Sequence, residues 1–129
     1  MTFILGLTGS IGMGKSTTAQ MFADQGVPIW DADAVVRKLY GVGGAAANQI
    51  AQHYPDTIEN GAVSRSKLRD LIANDPKVLD HIQTLVHPLV AADRATFLAA
   101  STAKVVLLDV PLLFETGTDG LCDANAVVS

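Results

Sequence analysis

The sequence is short of cysteine, of aromatic residues and of positive charge, and each shortage narrows what the chain can be. A single cysteine, Cys122, excludes an internal disulfide framework and fits a reducing compartment. Three histidines and that one cysteine, at no ligand spacing, leave no zinc site. Nine Lys and Arg stand against thirteen Asp and Glu, a formal net charge of −4. With no basic run, no nucleic-acid partner is expected. No apolar run approaches the ~20 residues of a membrane span. The stretch Met1–Ser10 has no positively charged start, and its apolar run breaks at Gly6, so no signal peptide is read. The expectation is a cytoplasmic protein with no membrane partner.

What is present is enough for one folded domain: 129 residues, 49% of them hydrophobic and only 17% charged. Phe3–Thr8 reads as a short buried strand, and Val27–Trp30 as a second. Between them, Lys15–Gln25 has a helical pattern with Ala19, Phe22 and Ala23 on one face, ended by Gly26. Ala32–Tyr40 and Ala45–His53 are predicted helices, and Tyr54–Val63 a loop. Ser64 is placed to cap a helix carrying Leu68, Leu71 and Ile72. Asp75-Pro76 opens another, with Leu79, Ile82 and Leu85 on one side, and His87-Pro88 is expected to break it and start a further helix through Phe97. Lys104–Val110 has the continuous apolar character of a strand covered on both faces, and Ala124–Val128 opens one more. This order of elements predicts an α/β fold with a parallel sheet. The helical stretch at about 32–100 is expected to form a cap beside it.

The densest chemical signal is Gly9-Ser10-Ile11-Gly12-Met13-Gly14-Lys15-Ser16, which satisfies G-x-x-x-x-G-K-[ST] between a strand and a helix. Glycines let backbone N–H groups turn inward around a phosphate, and the positive end of the following helix adds to the attraction. Lys15 is placed to reach the β- and γ-phosphates of a nucleotide, and the Ser16 hydroxyl to ligate Mg²⁺. Neither N-K-x-D nor D-x-x-G, the guanine and switch motifs of GTPases, occurs in the chain. A small-molecule kinase is therefore the leading class. A second glycine-rich stretch, Gly41-Val42-Gly43-Gly44-Ala45-Ala46, follows a helix and not a strand, so it reads as a flexible connector.

A kinase also needs an acceptor for the proton of the attacking hydroxyl. Asp31-Ala32-Asp33 follows the second strand directly, and the carboxyl ends of such strands face the ligand crevice. Asp33 is the candidate for that role; Asp31 suits a helix N-cap equally well. Asp109 ends the strand Val105–Leu108 as a Walker-B-like carboxylate near Mg²⁺, or else as an ordinary strand-end residue. Arg65, in the cluster Arg65/Lys67/Arg69, suits an anionic substrate, whereas Lys67 and Arg69 read as solvated surface. His87, taken alone, reads as structural.

Gly6 to Thr17 together resembles the opening of the dephospho-CoA kinases. So do Asp31-Ala32-Asp33 after Gly26-Val27-Pro28, the segment Asn60-Gly61-Ala62-Val63-Ser64-Arg65 with Leu68-Arg69, the His87-Pro88 step, and Asp109-Val110-Pro111-Leu112-Leu113-Phe114-Glu115. The phosphate loop alone is generic, and the ordered set of five is specific. The resemblance implies a P-loop kinase-like three-layer fold with a helical substrate-binding insertion. It implies ATP-dependent phosphorylation of the ribose 3′-hydroxyl of dephospho-CoA, with Mg²⁺ bridging the nucleotide phosphates. Gly12, Met13, Gly14, Lys15, Ser16 and Thr17 would hold ATP. Thr8 and Asp33 would lie at the acceptor hydroxyl, and Arg65 and His87 would line the dephospho-CoA pocket. Two alternatives stay open: another small-molecule kinase of the shikimate or nucleoside type, and a non-catalytic nucleotide-binding module.

The family's chains run longer than this one, and by resemblance the mobile lid, its arginines and a final strand lie beyond Ser129. No Lys or Arg follows Lys104, while Asp109, Glu115, Asp119 and Asp123 do. Loss of a transition-state arginine costs ~10³–10⁵ in rate. The 129-residue chain is therefore expected to bind ligands but to turn over at least ~10³-fold more slowly than a form extended by that segment. Comparable steady-state rates for the two would contradict this. The sheet edge exposed at Ala124–Val128 is where self-association is expected.

Overall fold

A computed structural model describes residues 2–9, 14–110 and 118–128. Four strands, β1 (Phe3–Gly9), β2 (Ile29–Asp31), β5 (Val105–Asp109) and β6 (Ala124–Val128), form one sheet in the order β2-β5-β1-β6. Every neighbouring pair in it is parallel. Strands β3 (Ile58–Glu59) and β4 (Ala62–Val63) pair only with each other, as a two-stranded antiparallel ribbon. The helices are α1 (Lys15–Asp24), α2 (Ala32–Tyr40), α3 (Ala45–His53), α4 (Arg65–Asn74) and α5 (Lys77–Ala100). The chain divides into two compact units, Met1–Asp33 with Arg94–Ser129, and Ala34–Asp93.

In the sheet unit, register and alternation assign the faces. Leu5, Leu7, Leu107 and Ile29 are in register with one another's strands and point the same way. With Ala19 and Phe22 of α1 and with Ala126 and Val128 of β6 they make one apolar cluster, in which Leu7 and Leu107 are wholly buried. The opposite face carries Val106, Leu108 and Trp30, also buried. Burial on both faces explains why Val105–Asp109 reads as an unbroken apolar run. At the carboxyl end of β1, a Cβ on Gly9 would stand 2.6 Å from the Val128 carbonyl oxygen, so glycine permits the close approach of β6.

In the helical unit, α3 buries Ala46, Ala47 and Ile50, α4 buries Leu68, and α5 buries Val78, Ile82 and Val86. Ser64 caps α4 as its residue type suggests: its Oγ accepts from the Lys67 N–H at 3.4 Å. Asp75 opens α5, its Oδ1 accepting from the Lys77 N–H at 3.1 Å.

Three expectations are corrected. His87-Pro88 does not break the chain; Pro88 lies inside one 24-residue helix. An interior proline costs about 3 kcal/mol. The three residues that α5 buries, Val78, Ile82 and Val86, all lie N-terminal to Pro88 and form one stripe. The buried face of α5 is accordingly this i, i+4, i+8 stripe, with Leu79 exposed, and not the face of Leu79, Ile82 and Leu85. Nor is Tyr54–Val63 all loop. Asn60 (φ 52°) and Gly61 (φ 84°) make the two-residue turn that joins β3 to β4. Asn-Gly is the residue pair best suited to such positive φ angles.

Candidate active site

Because the strands are parallel, β1, β2 and β5 deliver their last residues to one edge of the sheet. The strand order reverses there: the chain goes from β1 to β2 and β5 on one side, and to β6 on the other. Such a reversal opens a crevice at the carboxyl ends. Asp31 and Asp109 are direct register partners, and Leu7 partners Asp109 on the other side. Both carboxylates therefore point to the sheet face that α1 covers. Thr8, also buried, alternates to the opposite face.

Helix α1 brings its first residue back to this edge. Gly14, at φ 88°, is a left-handed N-cap with no side chain to occupy the helix end. The first intrahelical bond is Thr18 N–H to the Gly14 carbonyl at 2.9 Å, so the amides just before it remain available for an anion. Lys15 Nζ donates to Asp109 Oδ1, and the two side chains are only 11% and 10% exposed. Ser16 and Thr17 face solvent in the same turn. Gly12 and Met13, assigned to ATP in the sequence reading, lie outside the described residues, as does the whole Pro111–Glu115 segment.

Asp31 and Asp33 take different parts. Asp31 Oδ1 accepts from the Asp33 N–H at 3.0 Å and so shapes the entry to α2. Asp33 itself, in the first turn of α2, is exposed and keeps its carboxylate in solvent. The helical unit carries the other two candidates. Arg65 opens α4, with its guanidinium carbon 5.3 Å from the centre of the Tyr40 ring. His87 is exposed on α5. The basic cluster divides: Lys67 pairs with Glu59 at 2.8 Å, whereas Arg65 faces an aromatic ring. Burial pushes the Tyr40 phenol above its ordinary value, and the nearby Arg65 charge pulls the other way.

Among the described residues no group of three or more His, Cys, Asp or Glu is arranged to hold a metal ion. The donors at the sheet edge instead suit a Mg²⁺ that arrives with a nucleotide. Such an ion needs one or two protein oxygens, the rest coming from phosphate and water. An exposed hydroxyl at Ser16 meets that requirement. The Lys15–Asp109 pair and the Tyr40 ring went unnoticed in the sequence. The first spans 94 positions, and the second is an unremarkable helix-terminal residue.

The family model described as CoaE: Dephospho-CoA kinase matches residues 3–129. The chain belongs to the dephospho-CoA kinase family. It is 57% identical to the dephospho-CoA kinase of Ruegeria pomeroyi, over 100% of this chain and 66% of that one. It is 56% identical to that of Cereibacter sphaeroides, over 98% of this chain and 64% of that one. The chain thus spans about two-thirds of the length of the curated relatives it matches. Solved structures agree on the fold. TT1252 from Thermus thermophilus superposes with a TM-score of 0.85 at 32% identity, over 99% of this chain and 65% of that chain. Dephospho-CoA kinase from Campylobacter jejuni superposes at 0.77 with 19% identity, over 96% and 65%. The fold is therefore the α/β kinase fold expected from the phosphate-loop motif. No helix among the described residues is long and apolar enough to cross a membrane.

Proposed function

We propose that this chain carries the ATP site and the dephospho-CoA site of a kinase that phosphorylates the ribose 3′-hydroxyl, yielding coenzyme A and ADP. The observation that carries the reading is the nearly buried Lys15–Asp109 pair at the sheet edge, where Asp31 is the register partner of Asp109 and the exposed Asp33 follows two residues after Asp31. Lys15 holds the β- and γ-phosphates, supported by the free first-turn amides of α1. Gly12, Met13, Gly14, Ser16 and Thr17 complete the ATP cradle by motif. Asp33 orients the acceptor hydroxyl and takes its proton. The oxygen then forms its bond to the γ-phosphorus as the bond to the β,γ-bridging oxygen breaks and ADP leaves. Thr8 supports the acceptor end, and Arg65 and His87 in the helical unit hold the dephospho-CoA. Ser16 would ligate Mg²⁺, with Asp109 holding it directly or through water; when bound, the ion would supply charge neutralisation for the phosphoryl group being transferred.

Calorimetric titration of the chain with dephospho-CoA, Mg-ADP present, tests this. Shikimate and adenosine serve as parallel ligands. Selective binding of dephospho-CoA, weakened at least about tenfold by Asp33→Ala or Arg65→Ala, is the expected result, the loss of one charge-assisted contact. Equal binding of shikimate, or indifference to both substitutions, would point to a different acceptor.

A further inference from the structure

Among the described residues, Arg65 is one of two arginines that rest on an aromatic ring; the other, Arg94, has its guanidinium carbon 5.9 Å from the centre of the Trp30 ring. Arg65 is exposed, and no acceptor among the described residues takes a hydrogen bond or an ion pair from it. Its contact is the face of Tyr40, the last residue of α2, 5.3 Å from the guanidinium carbon. Two lysines of the same unit are held by carboxylates instead: Lys67 is paired with Glu59, and Lys38 with Asp93 at 2.9 Å. A carboxylate would orient an arginine equally well, but it would neutralise the charge and occupy the N–H donors. An aromatic face restrains the same group and uses none of its five donors.

We propose that Tyr40 is a positioning residue for Arg65: its ring holds the guanidinium in one place, charge and donors unspent, for the anionic phosphate part of the acceptor. The role rests on the reading that Arg65 contacts dephospho-CoA. Tyr40 is half-buried at the end of α2, and its phenol is uncharged at neutral pH, as an ordinary tyrosine's is, burial pushing its titration further up. The contact is thus cation on ring, and the hydroxyl is dispensable.

Two measurements test it on the 129-residue chain. The first is calorimetric affinity for dephospho-CoA, with Mg-ADP present, in Tyr40→Phe, Tyr40→Leu, Arg65→Ala and the Tyr40→Leu/Arg65→Ala double variant. Tyr40→Phe is expected to stay within about twofold of the parent, and Tyr40→Leu to bind about threefold more weakly, the size of an exposed cation–ring contact. Tyr40→Leu should have no further effect once Arg65 is alanine, and Mg-ADP affinity should not move. The second is the NMR shift of the Arg65 δ-methylene protons without ligand: displaced upfield by the ring current in the parent and in Tyr40→Phe, and normal in Tyr40→Leu. An unchanged shift in Tyr40→Leu overturns the contact itself. A loss of affinity that persists in the Arg65→Ala background, or a Tyr40→Phe defect as large as that of Tyr40→Leu, overturns the positioning role. A normal ring-current signature with Arg65→Ala indifferent to dephospho-CoA, or with no dephospho-CoA bound at all, overturns the acceptor reading of Arg65 and the role that depends on it.

Discussion

Replacing Lys15 with methionine is expected to cost the protein twice. Nucleotide affinity should fall by at least about tenfold, because a charge-assisted contact to phosphate is worth ~1.5–3 kcal/mol. Stability should fall as well. Lys15 is the hydrogen-bonded partner of Asp109, whose side chain is only 10% exposed at the end of a central strand. A buried carboxylate that loses its partner destabilises by about 3–5 kcal/mol, far more than an exposed pair contributes. Trp30 is the single tryptophan and only 4% exposed, so its fluorescence reports unfolding of the sheet unit directly. With a urea slope of ~2 kcal/mol per molar, the midpoint should drop by about 1.5 M or more. The informative companion is Lys15→Met/Asp109→Leu. Removing both charges leaves no unpaired group, so most of the lost stability should return while nucleotide binding does not. A single variant as stable as the parent would mean the pair has no structural weight. A double variant as unstable as the single one would mean the loss lies in packing.

Asp33→Asn should show the reverse pattern. The side chain is exposed and the residue's N–H bond to Asp31 Oδ1 belongs to its backbone, so neither stability nor Mg-ADP affinity should change measurably. Proton acceptance by a placed carboxylate is worth about 10²–10⁴ in rate. In a form of the protein spanning the full length of its relatives, turnover should fall by that factor, while the asparagine amide oxygen, still able to accept from the acceptor hydroxyl, keeps the rise in the apparent Michaelis constant for dephospho-CoA smaller than the affinity loss in Asp33→Ala. A loss under about tenfold would remove Asp33 from the chemistry and assign it, with Asp31, to the opening of α2.

Candidate residues could be named from the sequence where the motif that carries them is local. The phosphate-loop spacing, the D-x-D after a strand and the Asp ending an apolar run each occupy a handful of consecutive positions. Elements set by local patterns were legible too: Ala32–Tyr40, Ala45–His53 and Ala124–Val128 form within the bounds their residues suggest. The errors arose where a local signal misled. Pro88 reads as a helix breaker, yet α5 runs on through it as one helix. The polar stretch Tyr54–Val63 reads as loop because strands of two residues are too short for alternation to show, although Asn60-Gly61 is a turn signal in its own right.

The sequence by itself determined the family, the parallel sheet and the roster of candidate residues, because motif spacing and hydrophobic period are properties of neighbouring positions. Only the tertiary structure decided the partners. That Lys15 meets Asp109 across 94 positions follows from β1 and β5 lying side by side in a sheet whose strands share one direction. That Arg65 rests on Tyr40 while Lys67 takes Glu59 follows from where α2, α4 and the ribbon end within the helical unit. A charged side chain's role depends on the charge or ring it meets, and pairings between distant segments are written by strand order and helix packing, not by any local pattern.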